Sequence, residues 1–276
     1  MPVGPDVRGS DAVHPSRDVA LLDRFLRYVQ IDTQSDDTSQ TCPSSSKQWG
    51  LLRLLEAELR QIGCADVFLD SRGYLMATVP STLPASQQAP TVGFLAHVDT
   101  SPEITGEGIK PIVWRAYDGR DLVLPGDSSQ IISRVESPEL GDCLGHTIIT
   151  SDGTTLLGAD DKAGVAEIVS AAEYLLKHPE LRHGRIRLAL TPDEEIGRGA
   201  DHFDLAAFGA DLAYTLDGST VGTIEWETFC ADSAVVQLAG RNVHPGYAKG
   251  KMVNSLKLAA EFIRRLPTDR LSPETT

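Results

Sequence analysis

Residues 156–164 read LLGADDKAG, and this stretch decides how the rest of the sequence is interpreted. Two adjacent carboxylates, Asp160 and Asp161, stand where a short apolar segment gives way to a helical pattern. Acidic residues at a helix start ordinarily cap the helix or offset its dipole. Two such residues side by side also repel each other, and a bound cation would relieve that repulsion. The pair alone leaves both explanations open.

Three further clusters favour the cation, because each follows an apolar, strand-like run. They are His97 with Asp99, Asp193 with Glu194 and Glu195, and Asp217. In an open α/β sheet the carboxyl ends of the strands form the edge where ligands bind. Imidazole nitrogens and carboxylate oxygens gathered at such an edge suit a divalent metal ion. The conjunction predicts a metallohydrolase, although each cluster alone has an ordinary structural explanation.

The pattern of elements predicts an α/β fold with a mostly parallel central sheet and helices on both faces. Apolar residues at helical spacing predict helices over 17–30 and 160–177. A Ser45–Gln48 capping box is expected to open another helix that ends near Gly63. Residues 102–146 are polar and interrupted by Gly and Pro, which indicates a long excursion with short strands.

Three regions are predicted along the chain. Residues 1–17 are rich in Pro, Gly, Asp and Ser and are expected to be a disordered tail. Residues 18–220 form the catalytic, metal-binding domain, which is expected to be incomplete. Residues 221–276 begin a smaller α+β lid or dimerisation domain, with strand-like runs over 223–240 and a helix over 252–266.

Composition excludes several classes of protein. The 276 residues are 41% hydrophobic, enough for a substantial core, and the net charge of −14 argues against nucleic-acid or anionic-membrane partners. The four cysteines include no Cys-x-x-Cys pair, which excludes a thiolate zinc site of the usual spacing and gives no disulfide framework. No segment approaches the roughly 18 apolar residues of a membrane-spanning helix. A reducing cytoplasm is the expected compartment.

The clusters can be given roles in a centre of two divalent ions. His97 is a terminal ligand, and Asp99, two residues along the strand, lies on the same side and can fix the tautomer of the imidazole. Asp160 bridges the two ions. Asp217 then caps one ion and Glu195 the other.

Glu194 completes the predicted mechanism, because two neighbouring carboxylates can divide the work. Glu195 binds metal, while Glu194 stays free to take a proton from the metal-bound water and hand it to the leaving amine. A divalent ion is needed to lower the pKa of that water to roughly 7. Zinc is expected, with cobalt and manganese as alternatives because carboxylate-rich sites accept several metals.

Four segments resemble the peptidase T family of dizinc co-catalytic metallopeptidases, which are tripeptide aminopeptidases. They are HVDTSP at 97–102, TLLGADDKAG at 155–164, TPDEE at 191–195 and NVHPGYAKG at 242–250. The resemblance runs from about Leu21 to the last residue. It implies a zinc-exopeptidase-like fold and release of the N-terminal residue from tripeptides by attack of a zinc-bridging water.

The resemblance also implies the role of each site residue. It places His97 and Asp217 on one zinc, Glu195 on the other and Asp160 between them, with Glu194 as general base and Asp99 as the orienting acid. The peptide bond between Asp160 and Asp161 is expected to be cis. His244, in the second domain, is expected to help bind the substrate; an ordinary loop histidine before a proline is the alternative.

Family members continue beyond this endpoint, and that part carries the last zinc ligand, a histidine. This polypeptide alone is therefore expected to be weakly active or inactive, and poorly soluble. A related dizinc dipeptidase or N-acyl amino-acid deacylase is an alternative function, and an inert fragment that binds metal partially is another. Small peptides are the expected substrates, and the second domain is a candidate homodimer interface.

Overall fold

The computed structural model describes residues 15–218, 221–227 and 234–267. Its helices are α1 (Pro15–Val29), α2 (Gln48–Ile62), α3 (Ala159–Lys177), α4 (Leu205–Phe208) and α5 (Ser255–Arg265). Its strands are β1 (Ala65–Leu69), β2 (Leu75–Val79), β3 (Val92–His97), β4 (Ile112–Trp114), β5 (Leu122–Val123), β6 (Ile131–Ile132), β7 (Ile148–Thr150), β8 (Ile186–Thr191) and β9 (Leu212–Thr215). The chain divides into two compact units between Val221 and Gly222.

The central sheet has the strand order β1-β2-β8-β3-β9. Strand β3 runs parallel to both β8 and β9, whereas β2 is antiparallel to β8 and β1 is antiparallel to β2. The predicted α/β class with a mostly parallel sheet is confirmed: β1, β3, β8 and β9 run in the same direction, and of the five strands of this sheet only β2 is reversed. The reason for the reversal is the tight turn between β1 and β2, closed by the bond from Asp70 N to Tyr74 O, which forces a hairpin.

Helices α1, α2 and α3 cover one face of the sheet and form the main core. Alternate residues of β2, namely Leu75, Ala77 and Val79, point into this core, as the period of two in a strand requires. Residues of α2 such as Leu51 and Leu55 are fully buried against them. This packing fixes β3 and β8, whose carboxyl ends carry the candidate site.

The opposite face carries only the short helix α4 within the described residues. Phe208 of α4 packs in a second apolar cluster with Met76 and Ala189. Gly93 makes this approach feasible, because a Cβ there would stand 2.5 Å from the Phe208 ring. The buried Arg187 donates to the carbonyl oxygens of Ala207 and Phe208 and so holds the end of α4.

Several local predictions were wrong. The capping box does not form: Lys47 is the N-cap of α2 without a side-chain bond, because Gln48 turns inward to Asp193. The helix does end at Gly63, in the left-handed conformation. Of the predicted tail, residues 15–17 belong to α1, and residues 1–14 lie outside the described part.

The second unit is described by itself. Its described residues contain α5, capped by the Asn254 side chain, and one isolated bridge between Arg241 and Val253. The strand-like runs predicted over 223–240 are not strands in 223–227 and 234–240, and residues 228–233 lie outside the description. No residue of α5 is buried. Among the described residues, no helix combines the length and apolar character needed to cross a membrane.

Candidate metal centre

Strand register brings three of the predicted clusters together. His97 ends β3 beside Thr191 of β8, and the Glu194–Glu195 turn follows three residues later. On the other side, β3 pairs with β9 through Leu95 and Thr215. Two residues further along these parallel strands, His97 Nε2 lies 4.0 Å from Asp217 Oδ2.

The fourth cluster reaches the same edge from a helix rather than from a strand. Residues 156–158, before Asp160, do not form a strand, so three strands and the start of α3 build the site. Asp160 Oδ1 lies 2.9 Å from His97 Nε2. The peptide bond between Asp160 and Asp161 is cis, as the resemblance implies.

The two ring nitrogens of His97 face different partners. Nδ1 lies 3.3 Å from Asp99 Oδ1 and 3.1 Å from the Asp99 carbonyl oxygen. Nε2 faces carboxylates of Asp160, Asp217 and Glu194, with Glu194 Oε2 at 3.7 Å. Because Nδ1 has only acceptors beside it, a proton on Nδ1 leaves the Nε2 lone pair directed at the carboxylate cluster.

Asp99 holds the glutamate turn as well as the imidazole. Its carboxylate is fully buried and accepts the backbone N–H groups of Glu194 at 3.0 Å and Glu195 at 3.1 Å. One side chain therefore links His97 to the turn that carries both glutamates. The contact with the turn is one that the sequence did not indicate.

Asp161 is the residue that the sequence analysis left without a role. Its two oxygens accept the backbone N–H groups of His97 at 3.2 Å and Gly164 at 3.1 Å. A Cβ at Gly164 would lie 2.4 Å from Asp161 Oδ1 and 2.1 Å from the Leu216 carbonyl oxygen, so only glycine fits there. The DDKAG motif contained this signal, since a glycine three residues after an aspartate permits such an approach.

Lys162 is a second residue without a predicted role. It is completely buried, and its Nζ donates to the Ile31 carbonyl oxygen at 2.7 Å. Burial lowers its pKa from 10.5 to about 8, although the negative charges of Asp32 and Asp99 act to raise it. Sequence could not locate this partner, because Ile31 is 131 residues away.

Two groups of three potential ligands occur in the described part of the chain. One contains His97, Asp160 and Glu195, and the other contains His97, Asp161 and Asp217. Within each group one ligand-type atom per residue lies within 4.8 Å of the others. An imidazole with several carboxylates is a donor set that zinc, cobalt and manganese accept.

Electrostatics at the site reflect crowded negative charge. Burial opposes the charge of His97, but the hydrogen bond and charge of Asp99, the charge of Asp161 and the Asp160 bond together raise its pKa from 6.5 to about 10. For Asp161, burial raises the pKa from 3.8 to about 8; the charge of His97 opposes this shift, and the charge of Asp217 adds to it. The cluster therefore draws in positive charge, as a proton or as a metal ion.

The outer carboxylates are shifted in the same direction. Burial, opposed by His97 and reinforced by Asp160 and Glu194, raises the pKa of Asp217 from 3.8 to about 6. Burial and the charge of Asp160 also raise the pKa of Glu195. A divalent cation would reverse these shifts, because it stabilises the ionised carboxylates.

A groove of about 700 Å³ opens beside the cluster on the α4 face of the sheet. Glu194 and Asp217 line one part of it, and Phe203 and Phe208 line another. Polar groups therefore meet an apolar surface where a small ligand can be held against the carboxylates.

The structure brings six of the seven predicted site residues to one edge of the sheet. They are His97, Asp99, Asp160, Glu194, Glu195 and Asp217. His244 belongs to the second unit, where its Nδ1 accepts the N–H of Gly246 at 3.1 Å and its ring lies beside Tyr247.

The sequence is 54% identical over 256 residues to peptidase T of Geobacillus thermodenitrificans, covering 93% of this chain and 62% of that protein. Over this span the chain is similar to peptidase T. Peptidase T of Brevibacillus brevis is similarly close, with 53% identity over 92% of the chain. The chain spans about 62% of the length of these relatives.

Solved structures and a family model also match parts of the chain. The aminopeptidase PepT from Bacillus cereus matches 90% of this chain and 57% of its own, with 26% identity and a TM-score of 0.54. A tripeptidase from Staphylococcus aureus has the same fold, with a TM-score of 0.57 and 24% identity over 90% of this chain and 56% of its own. Residues 227–276 match the peptidase dimerisation domain.

Proposed function

We propose that this chain carries the metal-binding and catalytic groups of a metal-dependent aminopeptidase that releases the N-terminal residue from tripeptides. One observation carries the proposal: His97 Nε2 faces carboxylates from α3, from the turn after β8 and from the end of β9, while Asp99 holds its Nδ1. Relatives named peptidase T that are more than half identical support the peptide substrate.

The donor set fits two divalent ions. His97 and Asp217 would hold one, Glu195 would hold the other, and Asp160 would reach both. Zinc is proposed for both positions, with cobalt and manganese as alternatives. When bound, such ions supply Lewis acidity. They polarise the carbonyl group of the substrate and lower the pKa of a water molecule, so that the water loses a proton more easily when it attacks the carbonyl carbon.

Glu194 is proposed as the general base. Its side chain is 52% exposed, and its Oε2 atom lies 3.7 Å from His97 Nε2. A carboxylate so placed can take a proton from the attacking water and pass it to the amine that leaves. Glu195, which follows directly on the same turn, has a raised pKa and is proposed as a ligand.

Asp99 is proposed to orient this base as well as the imidazole. By accepting the N–H groups of Glu194 and Glu195, it fixes where the turn presents their side chains. The groove beside Glu194 supports a small peptide as substrate. His244 is proposed as a further substrate-binding residue, and the match to the dimerisation domain supports a homodimer through the second unit.

A cytoplasmic location is part of the proposal. Cys42, Cys64 and Cys143 are free thiols, and Cys230 lies outside the described residues. Free thiols are typical of proteins in reducing compartments. Fractionation of cells that express the tagged chain would test this.

The decisive experiment combines metal analysis with a panel of substrates. Purified chain loaded with zinc should bind two ions. Its turnover is expected to be weak, but it should release the N-terminal residue from a tripeptide faster than it cleaves a dipeptide or an N-acetyl amino acid. Preference for the dipeptide or the acylated amino acid would favour the alternative dizinc hydrolases. Fewer than two tightly bound metal ions per chain, together with no turnover of any substrate, would identify an inert metal-binding fragment and overturn the proposal for this chain.

A further inference from the structure

The residue before the two glutamates, Asp193, is anchored more firmly than either of them. Its side chain is completely buried, and both carboxylate oxygens accept the backbone N–H of Ser44, at 3.0 and 2.8 Å. The Ser44 hydroxyl donates to Oδ1 at 2.5 Å, and Gln48 Nε2 donates to the same oxygen at 2.6 Å. Both partners are buried as well. These bonds join the turn after β8 to the segment that opens α2.

A second tether runs between the same two segments. Arg198 donates from its backbone N–H to the Asp193 carbonyl oxygen at 2.9 Å. The Arg198 guanidinium donates to the carbonyl oxygens of Ser39 at 2.8 Å and Thr41 at 2.7 Å. The turn is therefore held at both of its ends by residues 39–48. Between the two tethers lie Glu194 and Glu195.

The geometry points to Asp193 as a positioning residue: its bonds to Ser44 and Gln48 fix the direction in which Glu194 and Glu195 present their carboxylates. This inference rests on the proposed function of those two glutamates. Asp193, directly before Glu194, has φ of 57° and ψ of 27°, a left-handed conformation that aspartate tolerates better than most residues. A change at this backbone position is passed on to both glutamates.

Two carboxylates therefore restrain the turn through hydrogen bonds at different residues. Asp99 accepts the N–H groups of Glu194 and Glu195, and Asp193 ties the preceding residue to α2. Catalytic groups lose efficiency when they are displaced by as little as about 1 Å, so a turn carrying a base and a ligand needs this restraint. Neither Ser44 nor Gln48 is among the ligand-type groups, and the sequence pattern indicated only a helix-capping role for Gln48.

Asp193→Asn tests the inference because it keeps the shape of the side chain. One oxygen becomes an amide NH₂, which would face the donors of Ser44 or Gln48 and leave a buried donor unpaired. The swap Asp193→Asn with Gln48→Glu moves the carboxylate to the other partner and should restore an acceptor. Asp152→Asn is the matched control, since Asp152 is also buried and accepts the N–H and hydroxyl of Thr154.

Amide hydrogen exchange in metal-free protein gives a readout that needs no activity. Asp193→Asn should speed exchange of the Glu194 and Glu195 amides by about tenfold or more, whereas Asp152→Asn should leave these amides unchanged. In zinc titrations against a competing chelator, Asp193→Asn should weaken binding by about 10- to 100-fold, and the swap should recover most of the loss. Where wild type turns over a tripeptide, kcat should fall much more than KM rises.

The inference is overturned if Asp193→Asn lowers only the melting temperature, as Asp152→Asn is expected to do, and leaves exchange and zinc binding at wild-type values. If Asp193→Asn does not fold, Ser44→Ala removes one donor and should give a smaller change in the same direction; no change at Glu194 and Glu195 then overturns it. A wild-type chain that neither binds zinc nor cleaves peptides would refute the proposed function, while the exchange comparison would still decide the role of Asp193.

Discussion

The inner and outer sides of the carboxylate cluster are built in different ways. On the inner side, His97, Asp99 and Asp161 are at most 4% exposed, and the two carboxylates each accept two backbone N–H groups. On the outer side, the side chains of Asp160 and Glu194 are 71% and 52% exposed. Both sides meet at the Nε2 atom of His97.

The difference separates the residues that position the site from the residues that are proposed to bind metal and substrate. Buried carboxylates bonded to backbone donors cannot move without leaving those donors unpaired, so they set the positions of the imidazole and of the glutamate turn. Exposed carboxylates with few fixed partners can exchange water, metal and substrate. Changes on the inner side should therefore lower the stability of the fold. Changes on the outer side should lower activity or metal binding and leave stability nearly unchanged.

Glu194→Ala should give the largest effect and the clearest separation. We expect turnover to fall by about 10²- to 10⁴-fold because the base is lost, while metal content stays at the wild-type value. The free energy of unfolding should change by no more than about 0.5 kcal/mol, as for other exposed substitutions. Peptide assays, metal analysis and urea unfolding measure the three quantities, with Glu180→Ala as the control for an exposed glutamate. Loss of the metals would show that the base and ligand assignments are reversed or wrong.

Asp99→Ala should show the opposite balance. It removes the acceptor for the N–H groups of Glu194 and Glu195, and each donor left unpaired costs about 1–3 kcal/mol. We expect the free energy of unfolding to fall by about 3 kcal/mol, measured by urea titration of metal-free protein. A fall no larger than that of Glu194→Ala would remove the distinction between the two sides.

The pH dependence of stability tests the inner side without a mutation. The folded protein raises the pKa of His97 from 6.5 to about 10 and that of Asp161 from 3.8 to about 8. Between pH 6.5 and about 8 the folded chain keeps protons that the unfolded chain has released, so stability should fall as the pH rises. Urea titrations in excess chelator measure this, and His97→Gln should flatten the dependence. Constant or rising stability across this window would contradict the shifts.

Asp118→Asn should give the smallest effect and shows why burial matters. Asp118 also has several bonds, to the backbone N–H and the guanidinium of Arg120, but both side chains are largely exposed. Exposed ion pairs contribute little because water and salt screen them. We expect no measurable change in the urea midpoint or in zinc binding. A loss comparable to that of Asp99→Ala would mean that hydrogen-bond number, rather than burial, sets the cost.

Much of the ligand cluster could be predicted because strand ends are visible in a sequence. Apolar runs predicted β3, β8 and β9, and parallel strands place their carboxyl ends at one edge of the sheet. The sequence alone therefore predicts that His97, Glu195 and Asp217 lie close together. The reversed direction of β2 could not be predicted in this way, because the hairpin between β1 and β2 depends on a short turn rather than on apolar pattern.

The supporting contacts could not be predicted, because they join residues distant in the chain. Gln48 looked like part of a capping box from its spacing to Ser45, yet it bonds to Asp193, 145 residues away. Local spacing carries no information about such a partner. The same holds for Lys162 and the Ile31 carbonyl oxygen.

Residue types and local periodicity were enough to predict which side chains can bind metal and the order in which strands and helices deliver them. The folded chain was needed to learn which nitrogen of His97 faces the carboxylates, that Asp99 and Asp161 accept backbone N–H groups, and that Asp193 is bonded to the start of α2. A hydrogen bond acts over about 3 Å in space, and the separation of two residues along the chain does not encode that distance.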